Sequence, residues 1–187
     1  SGGAGQHRGG NGVCIAYEFL EPGEISIHDD RWLTYPWGVN GGLPGGRSTK
    51  ELVRKNGSRE RLPSKCDRIK VEEGDILFFN TWGSGGWGDP LKRPAERVAQ
   101  DVARGLVSIE GARRYSVVVR ADFSVDVEAT ETLRRQTAAG RKQPLPLFDR
   151  GGTIEELKAR CKAETGFEPP RTPRFARWIS APDRTVT

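Results

Sequence analysis

Residues 64–90 read SKCDRIKVEEGDILFFNTWGSGGWGDP, and this stretch decides the fold. RIKV (68–71) and DILFFNT (75–81) are rich in β-branched and aromatic residues. They flank the short turn Glu72-Glu73-Gly74, which predicts a β-hairpin. The chain then breaks into GSGGWG (83–88). Two further clusters of the same kind lie upstream, SGGAGQHRGGNG (1–12) and GVNGGLPGG (38–46), and 18 of the 24 glycines fall within the first 90 residues. VCIAYEFL (13–20) and EISIH (24–28) alternate on either side of Pro22-Gly23, which predicts a second hairpin. The first half is therefore an antiparallel β unit with long Gly/Pro loops.

Beyond residue 90 the period changes. Pro94 suits a first helical turn, Val98 and Val102 are four apart and Gly105 can close the helix, so residues 94–104 are expected to be helical. Ser108 can cap a second short helix to about Arg114. YSVVVR (115–120) reads as a strand returning to the sheet. Asp126 can cap a helix to Ala139 ahead of Gly140, and Thr153 with Glu156 forms a capping box for a helix closed by Gly166. RKQPLPLFDRGG connects these two, and EPPRTPRFARWISAPDRTVT ends the chain as an extended tail that Phe175 and Trp178 can anchor. The fold class is α+β. A glycine-loop β-rich core over residues 1–120, with a helical pair at 94–114, precedes a helical, Pro-rich extension over 121–187.

Composition closes several doors. No apolar run approaches the roughly 18 to 20 residues that a membrane span needs, and the start lacks a signal-peptide layout, so no membrane partner and a cytoplasmic location are expected. The 187 residues carry a formal net charge of +5. Residues 1–90 hold 11 Lys and Arg against 12 Asp and Glu, whereas residues 91–187 hold 19 against 13. That basic excess is interleaved with acids and forms no stripe with aromatics, which argues against a nucleic-acid partner. Cys14, Cys66 and Cys161, with only His7 and His28, cannot build a disulfide framework or a structural zinc site.

Several groups are candidates for chemistry. GSGGWGDP follows a strand and would offer backbone N–H groups to an anion, but it lacks the Lys-Ser/Thr ending of a P-loop. Close backbone approach is the alternative role for such glycines. His28, Asp29 and Asp30 would suit a metal, or else these carboxylates are turn residues paired with nearby arginine. Asp89, held between Gly88 and Pro90, would make polar contacts from a glycine-flexed loop or cap the helical region at Pro94. Trp32, Trp37, Trp82 and Trp87 adjoin the glycine loops, where they would wall a pocket, fill an interface or clamp the loops. Ser1 is a candidate terminal nucleophile only by analogy with amidases that use one. The chain has no Met and starts at Ser1, so a fragment of a longer polypeptide is expected.

Taken in order, SGGAGQHRGGNG, DDRWLTYPWGVNGGLPGG, SKCDRIKVEEGDILFFNTWGSGGWGDP and ERVAQDVARGLVSIEGARRYSVVV resemble the C-terminal part of the hydantoinase B/oxoprolinase family. FDRG and CKAETGFEPP look like the bacterial members. Ser84 and Trp87 depart from the family pattern of an all-glycine run followed by Tyr. The resemblance implies an ATP-dependent enzyme that hydrolyses a cyclic amide (hydantoin, 5-oxoproline or lactam) or carboxylates a ketone such as acetone or acetophenone. ATP and Mg would sit on a hydantoinase A-like ATPase subunit, within a hetero-oligomer. A divalent metal would be held by the N-terminal part of this chain's own subunit, so no metal ligand and no cofactor-binding residue is assigned to this segment. Catalytic residues stay unassigned, with Asp30, Arg31, Trp37 and Asp89 as candidate pocket lining. The alternative is a non-catalytic module that assembles such a complex.

Overall fold

The computed structural model describes residues 1–141 and 143–169, so the anchoring role read for Phe175 and Trp178 falls outside the described residues. In chain order the elements are β1 (Cys14–Glu18), β2 (Gly23–His28), β3 (Gly38–Val39), β4 (Thr49–Val53), β5 (Arg59–Arg61), β6 (Lys65–Val71), β7 (Ile76–Asn80), α1 (Ala95–Ala103), α2 (Val127–Gly140), β8 (Phe148–Asp149) and α3 (Ile154–Thr165). The fold is α+β with antiparallel sheets, as the sequence implies.

The strand pairing is not the one the turns suggest. β1 pairs with β7 and β2 with β6, so neither expected hairpin forms. Glu18 lies opposite Ile76 and Gly23 opposite Val71, and between them Phe19 N–H donates to Asp75 O at 2.9 Å while Gly74 N–H donates to Phe19 O at 2.8 Å. Residues 14–28 and 65–80 thus form one antiparallel ribbon folded at a corner. Pro22-Gly23 and Glu72-Gly74 bend both strands at the same level rather than reversing either of them. Asp75 fastens the corner by accepting from the backbone N–H groups of Glu72 and Lys55 and from Arg54, each at 3.0 Å.

Bending the ribbon lays its two arms face to face. Ile27 and Val71 from one arm pack with Leu52 and Leu77 from the other, and Leu62 completes the cluster. The second arm is widened by the hairpin β4–β5, giving the strand order β1-β7-β4-β5. A separate core gathers Val98 and Val102 of α1 with Ala112, Tyr115, Val117 and Val119. The expected strand at 115–120 belongs to none of the three sheets among the described residues. Ser116 adopts left-handed backbone (φ 52°), Val118 N–H donates to the Thr130 hydroxyl of α2 and Arg120 N–H to Ser124 O, so these groups are satisfied locally. The helix boundaries agree closely with the sequence signals. Asp126 caps α2, and Thr153 with Glu156 caps α3 before Gly166 ends it in the left-handed conformation.

The three glycine segments lie against one another as bare backbone. Gly3 N–H donates to Ser84 O at 2.7 Å, Leu43 N–H to Ala4 O at 2.7 Å, Gly86 N–H to Leu43 O at 2.9 Å and Gly46 N–H to Ser1 O at 2.7 Å. A Cβ on Gly85 would stand 1.6 Å from Trp37 O, and one on Gly42 would stand 2.1 Å from Gly86 O. Among the cluster glycines only Gly41 and Gly88 have positive φ (86° and 74°), so close approach is the commoner requirement.

Gly85→Ala is expected to destabilise the protein by more than about 3 kcal/mol, because a backbone carbonyl cannot yield as a side chain does. Gly140→Ala, at the end of α2 with nothing within 4 Å, is expected to be neutral or stabilising by about 0.5–1 kcal/mol. Chemical denaturation of the two variants checks both, and equal midpoints would sink the close-packing account.

Candidate functional site

The glycine segments fix what stands at their ends. Val39 N–H donates to Gly86 O and Gly88 N–H to Val39 O, both at 2.9 Å, so the loop carrying Trp37 is tied to the loop carrying Asp89. His7 and Trp87 exchange backbone hydrogen bonds (2.9 and 3.0 Å), and their rings lie 5.5 Å apart. Beside this pair opens a polar cleft of about 530 Å³ lined by Gln6, Trp87, Asp89, Lys92, Arg141 and Gln143, among others. It combines carboxamides, two cationic side chains and a half-exposed indole. Such a surface can orient a small planar polar molecule by hydrogen bonds and stacking.

Asp89 is buried and committed. Its oxygens accept from Arg141 in a two-pronged contact at 2.7 and 2.6 Å, and Oδ1 also caps the short helical turn at Pro90–Lys92 through Leu91 N–H at 2.9 Å. The Arg141 guanidinium holds the Asp89 carboxyl below its ordinary range and is itself held further in its charged form. Asp89 is therefore a structural anion that presents Arg141 to the cleft. The cap falls at this turn, immediately before the Pro94 region that the sequence indicated.

Trp37 stands elsewhere on the same framework. Arg31, in left-handed backbone (φ 53°), lies 5.4 Å from its ring and Arg150 lies 4.8 Å away, while Phe148 meets it edge-on at 6.0 Å. These contacts join the loop to β8, which pairs with β3. Asp30 is exposed and, among the described residues, reaches Lys65 at 3.4 Å. Of the four candidate lining residues, Arg31 and Trp37 are brought together, Asp30 turns to the β6 side and Asp89 belongs to the cleft.

The proposed His28, Asp29 and Asp30 group is dispersed. His28 pairs with Asp67 at 3.0 Å on the surface. Asp29 is buried against Lys50 and Ser48, where burial lowers the Lys50 pKa while the Asp29 carboxylate opposes that fall. Among the described residues no three His, Cys, Asp or Glu side chains gather to hold a metal. Sequence reasoning passed over Arg141, Gln6 and Lys92. Arg141 sits directly after α2 in an otherwise ordinary connection, and its partner is 52 residues away, so no local signal marks it.

Comparison with known proteins agrees with this framework. Residues 1–90 match the family model described as Hydantoinase B/oxoprolinase. An uncharacterized protein of Methanocaldococcus jannaschii is 40% identical over 138 residues, which cover 72% of this chain and 24% of that protein. Caprolactamase subunit beta of Pseudomonas jessenii is 31% identical over 142 residues, covering 72% of this chain and 24% of the subunit. The crystal structure of that ATP-dependent caprolactamase superposes with a TM-score of 0.58 at 29% identity, over 71% of this chain and 24% of its counterpart. A nucleotide-free acetone carboxylase shares the fold, with a TM-score of 0.53 at 18% identity over 88% of this chain and 26% of that one. The chain thus spans about a quarter of the length of these relatives. No helix among the described residues is long and apolar enough to cross a membrane. It is the glycine-loop half of this chain, residues 1–90, that is similar to the hydantoinase B/oxoprolinase family.

Proposed function

We propose that this chain is the C-terminal segment of a B-type subunit in an ATP-dependent enzyme that opens a cyclic amide, with ketone carboxylation as the other chemistry of the group. The observation that carries the reading is the family match over the interlocked glycine segments, whose ends frame the cleft beside Asp89. Caprolactamase, named for a lactam substrate and ATP dependence, supports amide-ring hydrolysis above carboxylation. ATP and Mg belong on a hydantoinase A-like partner subunit. In the same reading a divalent metal is held by the part of the subunit outside this chain.

In this reading the chain supplies a wall. Arg141, held by Asp89, places a fixed positive charge where negative charge develops on an amide oxygen. Gln6 and Gln143 orient the ring through its N–H and C=O groups, and Trp87 excludes water from one face. Arg31 and Trp37 line a neighbouring stretch of the same wall. A docking role for the chain is the second reading. It is favoured by Trp37, Trp82 and Trp87, which are 39%, 38% and 48% exposed, since exposed indoles are enriched where proteins meet.

The test is the whole subunit with its A-type partner, assayed for ATP-dependent hydrolysis of hydantoin, 5-oxoproline and lactams and for ketone carboxylation. Arg141→Lys is expected to lower kcat/KM at least about tenfold with assembly intact, since the two-pronged contact is lost but the charge is kept. Asp30→Asn is expected to change turnover less than about twofold, its side chain being solvated. Failure of the complex to assemble in the Trp37 or Trp87 alanine variants, with turnover normal in whatever does assemble, would favour docking instead.

Asp89→Asn is expected to cost about 2 kcal/mol at pH 7, because it removes charge-assisted hydrogen bonds between a buried carboxylate and the half-buried Arg141. The sign of its pH dependence follows from the depressed Asp89 carboxyl. Its contribution is fully present above the unfolded value of about 3.9 and is lost as pH falls through the lower folded value. Denaturation from pH 7 to pH 2 should show a constant gap between parent and variant down to about pH 4, closing below it. A gap that is unchanged at pH 2 would refute the ion-pair account.

A further inference from the structure

We propose that the outer edge of β1 receives a β-strand from the part of the subunit that this chain does not contain. The inference rests on the reading above, in which this chain is one segment of a longer subunit, since it spans 24% of the relatives it matches. Among the described residues β1 closes one side of the four-stranded sheet and pairs with β7 alone, in unbroken register from Cys14 opposite Asn80 to Glu18 opposite Ile76. Thr81 N–H donates to Val13 O and Phe19 N–H to Asp75 O, both at 2.9 Å, and these two bonds bracket the strand. Antiparallel alternation then directs the peptide groups of Ile15 and Tyr17 toward β7 and those of Cys14, Ala16 and Glu18 outward. The outward groups form a template for one more strand.

The edges formed by β5, β2 and β6 are guarded and this one is not. β5 is three residues long and wholly charged, Arg59-Glu60-Arg61. β2 and β6 share a register shift between Ile25 and Ile27, and β6 adds Lys65, Asp67, Arg68 and Lys70, with Arg68 at φ 56°. Short charged strands and bulges are the devices that keep sheet edges from pairing. β1 has no proline, lysine or bulge, and it is flanked by exposed apolar side chains. Val13 is 59% exposed, Tyr17 49% and Leu20 76%. Tyr17 lies in register with Leu77 and Leu52, on the face that carries the core, so an added strand with apolar residues at alternate positions would extend that core.

The occupant argued for is a strand of the same subunit. The matched relatives carry about three times as much further chain as the part aligned here, at 24% coverage in each case. A second copy of the chain is the rival occupant, and its mark would be dependence on protein concentration.

The experiment is amide hydrogen exchange on the whole subunit expressed from its own gene, with Ala16→Pro and Ala16→Val compared against the parent. The Ala16 and Glu18 amides are expected to exchange at least about 100-fold more slowly than coil rates, at every protein concentration. Ala16→Pro removes an outward N–H and leaves the bonds to β7 in place, as proline is tolerated on an edge. It should abolish protection at Glu18 while Ile15 and Tyr17 stay protected. Ala16→Val keeps the N–H and should match the parent. Coil-like exchange at Ala16 and Glu18 in the parent, or protection that disappears on dilution, overturns the proposal. Absent turnover in the same preparation would count against the proposed function and leave the exchange result standing.

Discussion

Backbone lying directly on backbone is the constraint from which the rest of this structure follows. Side chains normally keep neighbouring segments apart, and here the glycine segments remove that spacer. Gly3 reaches Ser84, Gly42 lies under Gly86 and Gly85 lies on Trp37 O, so the peptide groups satisfy one another without a regular sheet. Each buried N–H and C=O in this layer needs a partner, and many of the partners come from another glycine segment. The three segments therefore hold or fail together. Their ends deliver β1 and β7 to the ribbon, Val39 to β8, and Asp89 to the cleft.

What the sequence revealed was what is decided locally. Capping is a matter of three or four residues, so Asp126, Thr153 with Glu156, and Gly166 mark helix ends that the structure reproduces within a residue or so. Strand type was also legible, but not strand pairing. A turn such as Glu72-Glu73-Gly74 looks the same whether it reverses one strand or bends two, and the difference depends on Phe19 and Pro22, some fifty residues away. Tyr115 to Arg120 has a strand's composition, yet Thr130 and the turn at Ser124 take its hydrogen bonds. The cleft was legible at Asp89 and Trp87 but not beyond them. The Asp89 partner Arg141 belongs to a different helix end, and Gln6 belongs to the first glycine segment.

Asp29 and Asp30 show how far adjacent, identical residues can diverge. Alternation of side chains sends Asp29 inward to Lys50 and Ser48 and leaves Asp30 in solvent beside Lys65. The buried pair is weak evidence for stability, because desolvating two charges offsets much of their attraction. It is better read as a register device. Lys50 lies opposite Phe79 in β4–β7, with its ammonium 5.2 Å from that ring. A slip of one residue would turn Lys50 to the outer face and strand Asp29 without a counter-charge, so misregistered pairing of a strand with few other landmarks is strongly disfavoured.

The distribution of order and exposure fits the proposed role of a framework that other parts of the subunit complete. The interlocked layer is close-packed and nearly without side chains, so it can bury little apolar area by itself. The two cores are small, and the one around α1 reaches the layer through Ala4 and Leu43. Several large apolar groups stay outside both cores: Trp82 and Trp87 on the third glycine segment, Trp37 against Phe148, and Val13, Tyr17 and Leu20 along and beyond β1. They cluster at the ends of the glycine segments and along the unguarded edge, rather than scattering singly as incidental surface residues do. A rigid backbone layer is well suited to hold such groups at fixed positions before a partner arrives, because little conformational entropy is left to lose on docking. Rigidity in the glycine layer and apolar exposure at its borders are then two aspects of one arrangement, in which the layer sets the geometry and the borders make the contacts.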